Sequence, residues 1–411
     1  MLLLHSLLVV LVGLAGRAVM DKALAIKGGA VLVAAWAQLA SLGDLVISIS
    51  LAGIGVALIA RLAGCPAEQR LAWVRAALRW CLWLSAAATV IGVPLMVMYG
   101  RVVIPAGQEG LAVAALVAGW CGVAPGLGGL ALVGSGRPGW AAALIGCSFL
   151  PPLLLLILSP FASPLANLLC GQIVFGTATL AVMLRLRADV PVPPDELHSL
   201  LRFVPAGIAI GLLSPSAAIL GRTRIGEVLS WDHAGIAQAI WRTNEWIVCV
   251  TGGLLNVYFL PQLGATKDRV AFVAVLRRAA WQTLVPAGVL MALLWLLLPE
   301  AVALLYRPDI VPARSDALPF LLGDWLRAAA WVPLMGLYAL HIPRAVTIGE
   351  FLSQPLFAAL LWSLALPVSL MDIGWAWTGA YFVYAIYNSL ALREAIAGRR
   401  QQEMQAHQAT H

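Results

Sequence analysis

The chain has 411 residues, of which 62% are hydrophobic and 11% charged, with a mean hydropathy of +0.92 and a formal net charge of +7. A water-soluble domain of this length cannot bury so much apolar surface, so the composition excludes a soluble globular protein. Six scattered cysteines without a CxxC or CxxH spacing, and six dispersed histidines, point to no metal and no cofactor.

Apolar runs long enough for a helix to cross a bilayer recur along the chain, separated by short polar breaks. In chain order they predict spans over 2–19, 30–60, 76–99, 110–134, 138–158, 165–185, 201–221, 234–260, 276–299, 317–341, 347–368 and 373–396. Met1–Gly16 resembles a signal peptide but lacks a basic start, and reads as the first span. Pro and Gly mark breaks at Pro66, Gly100, Pro105, Pro160, Pro191 and Pro261. Inside spans (Pro94, Pro125, Pro152, Pro333) they are tolerated because neighbouring helices satisfy the freed backbone groups.

The break after the second span reads Arg70-Leu-Ala-Trp-Val, and the break after the eighth reads Arg269-Val-Ala-Phe-Val. Each leads into a basic, membrane-entering helix, the pattern of two parallel repeats. The fold class expected is therefore an all-α membrane protein: about twelve transmembrane helices in two six-helix bundles, related by pseudo-two-fold symmetry around a central cavity. The bundles would cover 1–186 and 201–398. A cytoplasmic linker over 187–200 carries Pro191, Pro193 and Pro194, and 399–411 reads as a polar, disordered cytoplasmic tail.

Orientation follows from Lys and Arg placement. With the N-terminus inside, sixteen of the 26 fall in cytoplasmic breaks and eight in the opposite ones. Both termini are thus expected in the cytoplasm. The positive charge is a topology signal and implies no nucleic acid.

Ionisable residues at membrane depth are costly and face a cavity or one another. Arg242 and Glu245 lie in the eighth span, Asp324 and Arg327 in the tenth. Each pair is three apart and can meet on one helical face, as glue between helices or as part of a site. Arg17 and Lys22 close the first span and Arg222 closes the seventh, as snorkelling end residues or as cavity residues. Asp44 interrupts the second span with no basic residue within four positions, so it must be protonated, paired across helices or wet. Glu350, near an interface, reads as structural.

The stretch 213–263 resembles the seventh and eighth helices of the Wzx flippases, the polysaccharide branch of the multidrug/oligosaccharidyl-lipid/polysaccharide exporter superfamily. The motif is Arg222, then Ser230-Trp231-Asp232 with Gly235 and Gln238, then Glu245, then Tyr258-x-Leu260-Pro261-x-Leu263. Gly323-Asp324-x-x-Arg327 is similar to the family's tenth helix, and Glu350 with Ser353-Gln354 follows at a similar spacing. The likeness is closest to lipid III and O-antigen flippases. The first span is shorter than the family's, and Lys27-Gly28-Gly29 replaces its usual turn.

The resemblance implies translocation of an undecaprenyl-pyrophosphate-linked oligosaccharide across the bacterial inner membrane by alternating access, for surface polysaccharide assembly. Its partners would be that glycan, the bilayer, and a polysaccharide polymerase and chain-length regulator. Arginines suit a pyrophosphate, since a guanidinium fork matches phosphate oxygens. Substrate binding is therefore assigned to Arg222, Arg327, Arg242, Arg17 and Lys22, with Glu245, Asp324 and Asp44 as cavity or coupling acids. The same fold also suits an ion-coupled multidrug antiporter. A membrane glycosyl- or acyltransferase would need a catalytic cluster, and none is legible, so no enzyme activity and no catalytic residue is expected.

Overall fold

The structure is a computed structural model that describes residues 2–186, 204–266, 268–340 and 342–409. Among the described residues it is all helix, turn and loop, without a strand. Each of the twelve expected spans is mostly helical over its described residues, the eleventh departing at 352–353 and 364–368. The linker expected at 187–200 lies outside the described residues.

Helix α1 runs Leu2–Gly64 and holds the first two spans as two limbs. They part only at Gly28 and Gly29, where Gly29 takes φ 66° and ψ −158°. A side chain disfavours that conformation, so the Gly-Gly pair sets the break. Then follow α2 (Ala67–Val103), α3 (Leu111–Gly134), α4 (Pro138–Leu158), α5 (Pro164–Arg185) and α6 (Val204–Val228). Helix α7 (Trp231–Leu254) passes through a π turn, Leu255–Phe259, into α8 (Leu260–Ala265). Pro261 lacks the amide that would continue the regular ladder there.

Beyond it lie α9 (Arg269–Leu296), α10 (Leu298–Leu305), a 3-10 turn at Pro308–Ile310, and α11 (Arg314–Ala339). Asp268 caps α9, accepting from the Ala271 amide at 2.9 Å. The run expected as one span over 347–368 is two short helices, α12 (Pro343–Phe351) and α13 (Gln354–Ser363). Pro355 has no amide to donate to the Phe351 carbonyl and is tolerated in the first turn of α13, so the chain breaks before it. The last helix, α14 (Leu370–Ala409), continues through the segment expected as a disordered tail.

Seven helical stretches among the described residues are long and apolar enough to cross a membrane. On α2 the side chains of Val90, Ile91, Val97 and Met98 are 65–73% exposed, an apolar surface that suits lipid and not water. The protein is a multi-pass membrane protein.

The helices group into two compact units. The first comprises 1–238 with Leu305–Ile310, and the second Ala239–Leu304 with 311–411. In the first, Leu58, Leu62, Trp73, Leu78, Val123 and Leu127 form a buried cluster. Gly211 of α6 lies so close to α1 that a Cβ would sit 2.8 Å from the Ser48 carbonyl oxygen. Small residues allow such backbone approach, which drives helix association in lipid. In the second unit, α11 and α14 make the most extensive contact, with Gly323 against Trp377 and Gly374 against Phe320. The matched repeat positions Trp73 and Phe272 are each 2% exposed, so the repeated break buries its aromatic in the same way.

Candidate functional site

Helices α7 and α11 are not among the stretches that pass as apolar spans. Some of the residues that lower their apolarity form a polar cluster in the second unit. On α7, Arg242 and Glu245 make an ion pair at 2.5 Å, with side chains 14% and 28% accessible. Between them in sequence, Asn244 is fully buried and its Nδ2 donates to Asp324 Oδ2 at 3.0 Å. Asp324, on α11, is 2% exposed.

One turn on from Asp324, Arg327 keeps 24% of its side chain accessible. Its Nη1 stands 3.7 Å from Asp324 Oδ1, an ion pair too long for a hydrogen bond. Oδ1 accordingly has no hydrogen-bond partner among the described residues. Arg327 donates no hydrogen bond to any described residue. Its guanidinium carbon lies instead 5.0 Å from the Trp331 ring centre and 5.8 Å from that of Tyr381, within cation–π range. The Glu245 carboxylate is near enough for its charge to act on both Asp324 and Arg327.

Behind these charges stands a run of rings. Trp241 contacts Phe320, Phe357 and Trp377 at 5.3–5.9 Å, Trp377 contacts Tyr381 at 4.7 Å, and Tyr381 contacts Tyr384 at 6.0 Å. Tyr384 Oη donates to Glu350 Oε1 at 3.3 Å, which ties the α12 carboxylate to α14. Packed rings of this kind make a rigid wall and hold the polar cluster in place.

The other candidate residues lie in the first unit. Arg222 is 5% exposed, and its donors are taken up inside the protein. Nε donates to Gln38 Oε1 at 2.8 Å, Nη1 to Gln238 Oε1 at 3.1 Å, and Nη2 to the Ala37 carbonyl at 3.1 Å and to Ser41 Oγ at 2.5 Å. Gln38 is itself held, through Nε2, by the carbonyls of Val103 and Ile219 and by Thr223 Oγ1. Lys22 donates to the Tyr306 carbonyl oxygen, and Tyr306 Oη donates to the buried Asp21 carboxylate at 3.4 Å. Arg17 is exposed on α1. Asp44 is also exposed, without a hydrogen bond or ion pair to any described residue.

Thus Arg242, Glu245, Asp324 and Arg327 gather in one cluster, while Arg222, Lys22, Arg17 and Asp44 belong to the other unit. Sequence reasoning missed Asn244, Gln38, Trp331 and Tyr381. Gln38 was visible as a lone amide inside an apolar run, and Trp331 as an aromatic four residues beyond Arg327. Asn244 and Tyr381 carried no comparable signal. No group of three or more His, Cys, Asp or Glu able to hold a metal occurs among the described residues.

No protein family and no curated protein matches the sequence. Solved structures do match its fold. An inward-facing multidrug resistance MATE family transporter of the MOP superfamily aligns with a TM-score of 0.71 at 13% identity, over 95% of each chain. The lipid II flippase MurJ, in an inward closed conformation, aligns at 0.67 and 13% identity, over 96% of this chain and 89% of that one. A MOP superfamily transporter from Pyrococcus furiosus, described as having a reversed binding-pocket polarity that suggests a different function, aligns at 0.63 and 13% identity, over 98% and 95%. The chain shares its fold with these solved structures.

Proposed function

We propose that this protein is a flippase that moves an undecaprenyl-pyrophosphate-linked oligosaccharide across the bacterial inner membrane by alternating access, for O-antigen-like or enterobacterial-common-antigen-like polysaccharide assembly. The observation that carries this reading is Arg327. A guanidinium inside a membrane protein, 24% accessible and donating no hydrogen bond to any described residue, offers its fork to an anion. Pyrophosphate and sugars cannot cross hydrocarbon cheaply, because their polar groups lose hydrogen bonds there. A polar cluster inside the protein replaces those bonds.

On this reading Arg327 and Arg242 meet the pyrophosphate, and Glu245 and Asp324 hold these arginines when the head group is absent. In the first unit, Arg222, which donates to Gln38, Gln238, Ser41 and the Ala37 carbonyl, is a further phosphate-binding residue. Lys22 and Arg17 are further phosphate-binding residues of the first unit, and Asp44 is an acid of the transport path. The termini lie in the cytoplasm, and the polymerase and chain-length regulator of the same glycan act downstream. The likeness of fold to a lipid II flippase supports the class of substrate.

The test is complementation of surface glycan in a strain lacking its own flippase. Arg327→Ala, at parental protein level, is expected to lower surface glycan at least tenfold. Undiminished glycan would remove the site from the mechanism. A second reading, an ion-coupled multidrug antiporter, is favoured by the acids Asp324 and Glu245 beside the aromatic run, which suit a lipophilic cation. Drug susceptibility of an expressing strain separates the two.

A further inference from the structure

Arg327 raises a question that its ion pair does not answer. A guanidinium in a protein interior ordinarily has its donors engaged by carboxylates, carbonyls or amides. Here the carboxylate paired with it, that of Asp324, accepts from Asn244 through Oδ2 and leaves Oδ1 at 3.7 Å from Arg327 Nη1. The Arg327 guanidinium carbon lies over two ring faces, that of Trp331 at 5.0 Å and that of Tyr381 at 5.8 Å, with Trp331 the nearer. A ring face orients a cation without consuming an N–H.

Trp331 in turn is seated by a specific feature of α7. A Cβ placed on Gly252 would lie 2.6 Å from Trp331 Cζ3 and 3.2 Å from Cε3, so the indole occupies a notch that only glycine leaves open. Trp331 also packs against the buried cluster of Val248, Met291 and Leu321.

We propose that Trp331 is a positioning residue: seated in the Gly252 notch, it holds the Arg327 guanidinium as an open donor fork for a phosphate group. This rests on the flippase reading of the same cluster and adds the residue that makes its anion site selective. A lysine at 327 would keep the charge but lose both the planar stack and the bidentate fork.

The experiment measures binding of inorganic pyrophosphate to the purified full chain by calorimetry, with the rate of phenylglyoxal modification at Arg327 read by peptide mass spectrometry. Trp331→Leu keeps apolar bulk and removes the ring. It is expected to weaken pyrophosphate about tenfold and to change the labelling rate at Arg327, whereas Trp331→Phe, which retains a face, stays within about threefold of the parent. Gly252→Ala, which displaces the intact ring, is expected to act like Trp331→Leu. If Trp331→Leu binds as tightly as the parent while Arg327→Ala does not bind, the positioning role is overturned and the anion site stands. If Arg327→Ala binds like the parent, the anion site and the positioning role both fall. Should Trp331→Leu not fold, an unchanged affinity in folded Gly252→Ala overturns the proposal equally.

Discussion

Arg222 Nε donates to Gln38 Oε1 at 2.8 Å across a separation of 184 residues, and the same glutamine donates to the Val103 and Ile219 carbonyls and to Thr223. One amide thus joins the second limb of α1 to α2 and α6, with a guanidinium at its centre. Replacing Gln38 with Leu leaves a buried cation short of an acceptor and two carbonyls short of a donor. The expected cost is about 2–4 kcal/mol, read as a lower melting temperature of the detergent-purified protein. Arg222→Lys is not expected to restore stability, because a point-charge ammonium cannot reach four partners spread around a planar fork.

In the second unit, Asn244 supplies the hydrogen bond that Asp324 Oδ2 accepts. Asn244→Leu removes that donor while keeping similar volume. A loss of about 1–3 kcal/mol is expected, together with weaker glycan complementation. Full stability and full complementation in this variant would mean that Asp324 does not depend on Asn244.

The Arg242–Glu245 pair competes with any anion for the Arg242 fork. Glu245→Gln removes the competing charge and keeps the shape. Pyrophosphate is expected to bind about threefold to tenfold more tightly to this variant, while transport slows because the head group is released less readily. Unchanged affinity would take Glu245 out of the exchange.

Gly29 sits at φ 66° and ψ −158°. Gly29→Ala is expected to destabilise by about 1–3 kcal/mol, or to move the kink, through its positive φ, and Gly28→Ala to destabilise through crowding, since its Cβ would lie 2.9 Å from Leu32 Cδ2. Thermal melting of the two variants side by side measures the difference.

At the start of α14, Ser369 and Asp372 cap one another: the Ser369 amide and hydroxyl both donate to Asp372 Oδ2, at 2.8 and 2.7 Å, and the Asp372 amide donates to Ser369 Oγ at 3.2 Å. These bonds, the hydroxyl's first, hold the Asp372 carboxyl below the usual aspartate value. A depressed folded value means that the stabilisation is complete above the unfolded pKa of about 4 and is lost as pH falls through the folded one. Asp372→Ala is therefore expected to melt about 1–2 °C lower at pH 7, with the gap to the parent closing below about pH 4.

Much of this architecture is local and so was readable. Hydropathy along the chain locates the helices because lipid forces every backbone group to bond within its own segment. The Gly28–Gly29 break and the three-residue spacings of Arg242/Glu245 and Asp324/Arg327 are local in the same sense. The division of the expected eleventh span was also present in the sequence, as Pro355, and was overlooked because its flanks remain apolar.

What the chain determined by itself was membrane residence, helix positions and which helices carry charge, since each depends on residues within a turn or a span of one another. Only tertiary structure decided what each arginine does. Arg222 meets Gln38 and Ser41 more than 180 residues away, and Asp324 meets Asn244 across 80. Whether a guanidinium is engaged or open depends on the acceptors that distant helices bring to it. Spacing along one helix carries no information about those acceptors.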